Sequence, residues 1–109
     1  MSVRLYILQR ATAAIMAPLV LAHLAMIFYA TGRGLSAAEI LGRTRGSIAW
    51  GAFYALFVLA AAVHGAIGVR GVASEWGGLR DRRLDALMWG FGLLLAALGL
   101  RAVAAVVAP

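Results

Sequence analysis

Cysteine and lysine are absent from the 109 residues, proline occurs twice, and only four residues are acidic. Without cysteine there can be no disulfide, no thiolate-held iron–sulfur cluster and no covalent C-x-x-C-H haem attachment. The shortage of charge excludes more. With 13% charged and 64% hydrophobic residues, the chain has too little polar surface to cover a soluble domain of its size. The net charge of +6 comes from ten arginines, and in a soluble protein it would suggest a nucleic-acid partner. These arginines instead sit at the ends of apolar runs, where they meet lipid headgroups, and they form no basic face with interleaved aromatics; no nucleic-acid partner is expected.

What is present is three apolar stretches, at residues 11–30, 47–69 and 86–108, the last interrupted only by Arg101. Each meets the roughly 20 residues that a helix needs to cross a hydrocarbon core about 30 Å thick. The expected fold is therefore an all-α membrane protein. It has three transmembrane helices, at about residues 5–30, 47–70 and 84–107, in one domain over residues 1–109 that forms part of a heteromeric bundle. The first run is much longer than the 7–15 residues of a secretory h-region, so it reads as a retained helix.

In the first connection, Ser36-Ala37-Ala38-Glu39 has the form of a capping box, with Ile40-Leu41 and a Gly42 stop behind it. A short interfacial helix at about 36–41 is expected. The second connection holds Glu75, Trp76, Gly77-Gly78 and Arg80-Asp81-Arg82-Arg83. Arg4, Arg10, Arg70, Arg80, Arg82 and Arg83 lie toward one membrane side, against Arg33, Arg43, Arg45 and Arg101 toward the other. The positive-inside rule then puts the N-terminus in the cytoplasm, and the expected location is a bacterial inner membrane.

Ionisable side chains inside an apolar span are costly, which makes His23 and His64 functional candidates by default. One turn either side of His64 stand Ala60 and Gly68, both small and on its helix face, with Gly65 thinning the region further. Such a slot admits a flat porphyrin with His64 as axial ligand. It equally suits a small-xxx-small helix contact with a histidine hydrogen bond across it. Arg10 and Arg70, near the inner boundary, are placed to pair with propionates, or simply to snorkel.

His23 has bulkier neighbours in Leu19 and Ile27 and reads as a polar interhelical contact or as the ligand of a separate outer haem. At about 1.5 Å per residue, His64 lies about 9 Å from Arg70 and His23 about 20 Å from Arg10, so the two imidazoles differ by about 10 Å in depth. One haem cannot take both if the helices run straight, although Pro18 can kink the first. A haem at His64 then needs its second ligand from another chain. Trp76 and Glu75 could line a quinone pocket, or Trp76 could anchor at the interface as Trp50 and Trp89 do. Arg101 and the methionines are read as boundary and packing residues.

Leu8-Gln9-Arg10-Ala11-Thr12-Ala13, opening the first helix, and His64-Gly65-Ala66-Ile67-Gly68-Val69-Arg70, closing the second, resemble the cytochrome b membrane-anchor subunits of succinate dehydrogenase, the respiratory complex II. The second segment is similar to that family's H-x-x-x-G-x-R pattern, continued by an acidic and an aromatic residue, here Glu75 and Trp76. With the three-helix layout, the resemblance extends over nearly the whole chain. It implies a non-catalytic subunit of an oxidoreductase complex, with haem b, one or two copies, and quinone as substrate. His64 would ligate haem iron, Arg10 would contact propionate or quinone, and Trp76 would lie by the quinone. The implied partners are a second membrane-anchor subunit, an iron–sulfur subunit and a flavoprotein subunit that oxidises succinate. Ala22-His23-Leu24 resembles the second-haem site of two-haem members. Gly71, where one anchor type has a second histidine, and Thr12-Ala13, where that type has a serine, favour the D-type anchor over the C-type.

Two other functions fit parts of the pattern. A haem-free scaffold would dock soluble redox subunits through residues 80–83. A proton-coupled transporter subunit would use His23 or His64 as a relay, but the chain lacks paired intramembrane acids and any repeated half.

Overall fold

The structure, a computed structural model, describes residues 2–109. They form four helices: α1 (Val3–Arg33), α2 (Ala37–Thr44), α3 (Ile48–Glu75) and α4 (Arg82–Val107). No strand occurs among the described residues. Three of the four helices begin on a serine that satisfies an orphan N–H of the first turn. Ser2 accepts from Leu5 at 3.3 Å, Ser36 from Glu39 at 3.2 Å and Ser47 from Trp50 at 3.1 Å. α4 starts differently, from Asp81 at φ 57° and ψ −129° with no side-chain cap, a positive-φ conformation that is costly for a residue with a Cβ.

α1, α3 and α4 are long and apolar enough to cross a membrane. At 31, 28 and 26 residues they run to about 39–47 Å at 1.5 Å per residue, and the molecule is 48 Å in its longest dimension. That exceeds a hydrocarbon core of about 30 Å, so the helices tilt or carry their terminal turns into the headgroup region. α1 passes through Pro18 without ending, as happens in membrane helices where neighbours or local adjustment accommodate the missing N–H.

α3 is the middle helix, packed along both α1 and α4, which barely meet one another. Small residues allow the approach. A Cβ built on Gly92 of α4 would stand 3.0 Å from the Ala66 Cβ, and one on Gly99 would collide with Val58. Ala60, Ala62, Ala66 and Ile67 of α3 are buried, together with Leu84 of α4, while no large side chain is fully enclosed. This is the packing expected where lipid is as apolar as the helices, so that close van der Waals contact and not hydrophobic collapse joins them.

α2 continues through Gly42 to Thr44, past the stop expected at Gly42. The cause is tertiary. Thr44 is buried, its hydroxyl donates to the Val106 carbonyl at 2.6 Å, and the Gly46 N–H donates to the Val107 carbonyl at 2.7 Å. Two carbonyls orphaned at the end of α4 are thereby satisfied by the α2 corner, and Gly46 makes that turn with φ 75°, which glycine adopts without a Cβ penalty.

Gly99→Leu should therefore destabilise the protein by about 1–3 kcal/mol through overpacking, read as a lower thermal midpoint in detergent. Gly90→Ala, where a Cβ meets nothing within 4 Å, should cause no loss.

Candidate cofactor site at the α1–α3 interface

Toward α3, α1 turns a stripe of less exposed residues at helical spacing: Gln9, Thr12, Met16, Leu19, His23 and Met26. Near one end of this stripe the Thr12 Oγ1 lies 3.2 Å from the His64 Nδ1 of α3. Thr12 is only 7% exposed, and its hydroxyl also reaches the carbonyls of Leu8 at 2.8 Å and Gln9 at 3.1 Å. The other ring nitrogen, His64 Nε2, makes no hydrogen bond among the described residues. Among the described residues the one buried side-chain polar atom without a partner is Gln9 Oε1, and His64 as a whole is half-buried. Imidazole is thus tethered through one nitrogen while the other has no partner among the described residues, an arrangement suited to ligating a metal.

The small-residue face around His64 is shared with α1. Ala60 is buried, and Gln9 Nε2 lies 3.6 Å from where a Gly68 Cβ would be. A planar group at Nε2 must accordingly approach from the open side of the ring and not over the whole Ala60-to-Gly68 face.

His23 faces the same interface at another level. Its ring meets Tyr54 edge-on at 6.0 Å and Phe57 at 5.5 Å. It also lines a cavity of about 220 Å³ with Trp50, Tyr54 and Arg43. Thr12 and His23 are about 16 Å apart along α1, and His64 and Phe57 about 10 Å apart along α3. The two imidazoles therefore stand at different depths and do not converge. No cluster of three metal-ligating side chains occurs among the described residues.

Four other candidate residues lie at the His64 end. Arg70 donates to Asp85 of α4 from Nε at 3.3 Å and from Nη2 at 3.2 Å. With Glu75, Ser74 and Leu5 it also lines a cavity of about 50 Å³. Trp76 caps α3 and is 86% exposed. Arg10 stacks over the Tyr6 ring at 5.7 Å, and two residues, or about 200° of helix, separate it from Thr12. It thus projects from the outward face of α1, away from His64.

Thr12, Gln9 and Asp85 are the participants that reasoning from sequence passed over. The first two left a signal, a polar pair three residues apart on one face of α1. Asp85 left none, because only the α3–α4 corner brings it to Arg70.

A family model described as succinate dehydrogenase/fumarate reductase transmembrane subunit matches residues 1–104. Neither a curated protein nor a solved structure matches the chain.

The Arg70–Asp85 pair should contribute little to stability, since the Asp85 side chain is 59% exposed and such pairs are worth about 0–1 kcal/mol. Asp85→Asn is expected to lower the thermal midpoint in detergent only slightly, and less at high salt than at low salt.

Proposed function

Because the chain belongs to the succinate dehydrogenase/fumarate reductase transmembrane subunit family, we propose that it anchors such a complex while holding haem b at His64 and forming one wall of a quinone site. The observation that carries the reading is the His64 ring, tied to Thr12 through Nδ1 with Nε2 left unpartnered among the described residues. Bound haem supplies a one-electron store between iron–sulfur partner and quinone, its potential tuned by axial ligation and surrounding polarity. His64 would hold the haem iron through one nitrogen, and His23 stands too far along the interface to hold the same group. The second ligand then comes from a second membrane-anchor subunit, and the extensive apolar surface left exposed on α1, α3 and α4 leaves room for one. His23, beside its own cavity of about 220 Å³, is the candidate ligand for a second haem.

Arg70, Glu75 and Trp76 gather at the His64 end, on the side proposed as cytoplasmic, where the iron–sulfur and flavoprotein subunits would dock. Arg70 and Glu75 border the quinone site in this reading, with Trp76 at its mouth. Their shared cavity of about 50 Å³ is far below the roughly 300 Å³ at which ligand pockets begin, so the quinone requires a wall from a partner. Arg70, held by Asp85, brings positive charge to that end. Arg10, on the outward face, serves a propionate or quinone lying between this chain and the neighbouring anchor. Gly71 and the Thr12-Ala13 pair support a D-type anchor. In all of this the chain positions cofactors and supplies no covalent catalysis.

The proximity of Gln9 to Gly68 favours a second reading, in which the small residues serve packing alone and the subunit is a haem-free scaffold. The two readings part on one spectrum. In the purified complex His64→Ala should abolish or weaken the reduced b-type haem absorption, and an unchanged spectrum would remove His64 from the site.

A further inference from the structure

The Thr12 hydroxyl has one proton and stands among three acceptors or potential acceptors: the Leu8 carbonyl at 2.8 Å, the Gln9 carbonyl at 3.1 Å and the His64 Nδ1 at 3.2 Å. The carbonyls can only accept. The imidazole nitrogen can accept or donate, depending on which ring nitrogen carries the proton. Threonine in a helix habitually turns its hydroxyl proton toward the carbonyl one turn back, and the Leu8 contact is the shortest of the three. With the proton committed there, only the oxygen lone pairs of Thr12 face the ring, and Nδ1 must be the donor. A neutral imidazole carries one proton, so Nε2 keeps a bare lone pair. That is the same nitrogen left without a hydrogen-bond partner among the described residues.

We infer that Thr12 is a positioning residue that holds the His64 proton on Nδ1, leaving Nε2 as the one nitrogen able to ligate iron and strengthening it as a donor. The inference rests on His64 being a haem ligand and adds the group that selects its tautomer and orientation. Two consequences follow. An imidazole whose N–H has an acceptor is a more basic ligand, and a more basic ligand favours the ferric state. The ring also cannot rotate to expose its protonated nitrogen without breaking the contact with α1. Placing this control on α1 and the ligand on α3 makes the α1–α3 interface part of the haem site and not only a helix contact.

The test compares Thr12→Val, Thr12→Ala and Thr12→Ser in the assembled complex, reading haem retention, the haem midpoint potential and the ferric electron paramagnetic resonance. Valine keeps the shape and loses the hydroxyl. Outer-sphere partners of metal-bound histidines contribute about 10–100-fold in affinity. Because a hydroxyl is neutral, we expect about tenfold weaker haem retention in Thr12→Val and a potential moved upward. A tenfold loss of ferric preference corresponds to about 59 mV for a one-electron couple. Thr12→Ser should restore both wild-type values. Thr12→Ala should shift the potential as Thr12→Val does, and it decides the matter if the valine variant fails to assemble. A haem-loaded variant lacking the hydroxyl that keeps the wild-type potential and resonance overturns the role of Thr12 while leaving His64 a ligand. Retention of normal haem in His64→Ala would instead overturn the reading beneath it.

Discussion

Both interfaces between the long helices run through α3, and α3 can serve them only because its two flanks are made of small residues. Ala60, Ala62 and Ala66 are buried along it, Gly65 and Gly68 thin it further, and Gly92 and Gly99 answer from α4. In lipid there is no water to expel from between helices, so association depends on backbones approaching until van der Waals contact is extensive. A large side chain at any of these positions would separate the helices and, with them, the groups they carry. The 3.2 Å contact between Thr12 and His64 spans two helices and exists only at this spacing.

The α1–α3 interface is graded along its length. One end holds Gln9, Thr12 and His64, with Arg70, Ser74 and Glu75 just beyond; the other holds His23 among Trp50, Tyr54 and Phe57. At the first end Gln9 Oε1 is the one buried side-chain polar atom without a partner among the described residues, and an unpaired buried acceptor of this kind costs about 1–3 kcal/mol unless something donates to it. Outside the interface the apolar faces are bare: Phe28, Leu21, Leu93 and Ile48 are all more than half exposed. The chain is a membrane subunit of a larger complex by family, and its layer of three spanning helices with one flank-sharing centre leaves surfaces for lipid and for neighbouring subunits.

How far the residues announced all this differs by level. The three spans were legible because about 20 apolar residues in a row have no other stable solution than a helix when the surroundings offer no hydrogen bonds. Ser36 and Glu39 announced α2, since capping is local chemistry, yet the end of α2 was misjudged. Gly42 looked like a stop, and the helix persists to Thr44 because Thr44 is anchored to Val106 some sixty residues away. Arg70 was visible as a boundary cation, but its partner Asp85 was not, for the same reason of distance along the chain.

Composition and periodicity by themselves determined that this protein lies in the membrane, that it has three spans, and that two histidines stand at unequal depths within them, because these follow from transfer energy and helical rise alone. Only the tertiary structure decided which faces meet. It turned Thr12 toward His64 and Gln9 toward Gly68, turned Arg10 away and committed Arg70 to Asp85. Those outcomes depend on how each helix is rotated about its axis against its neighbour. That rotation is set by the fit of small residues across an interface, which a single sequence does not display.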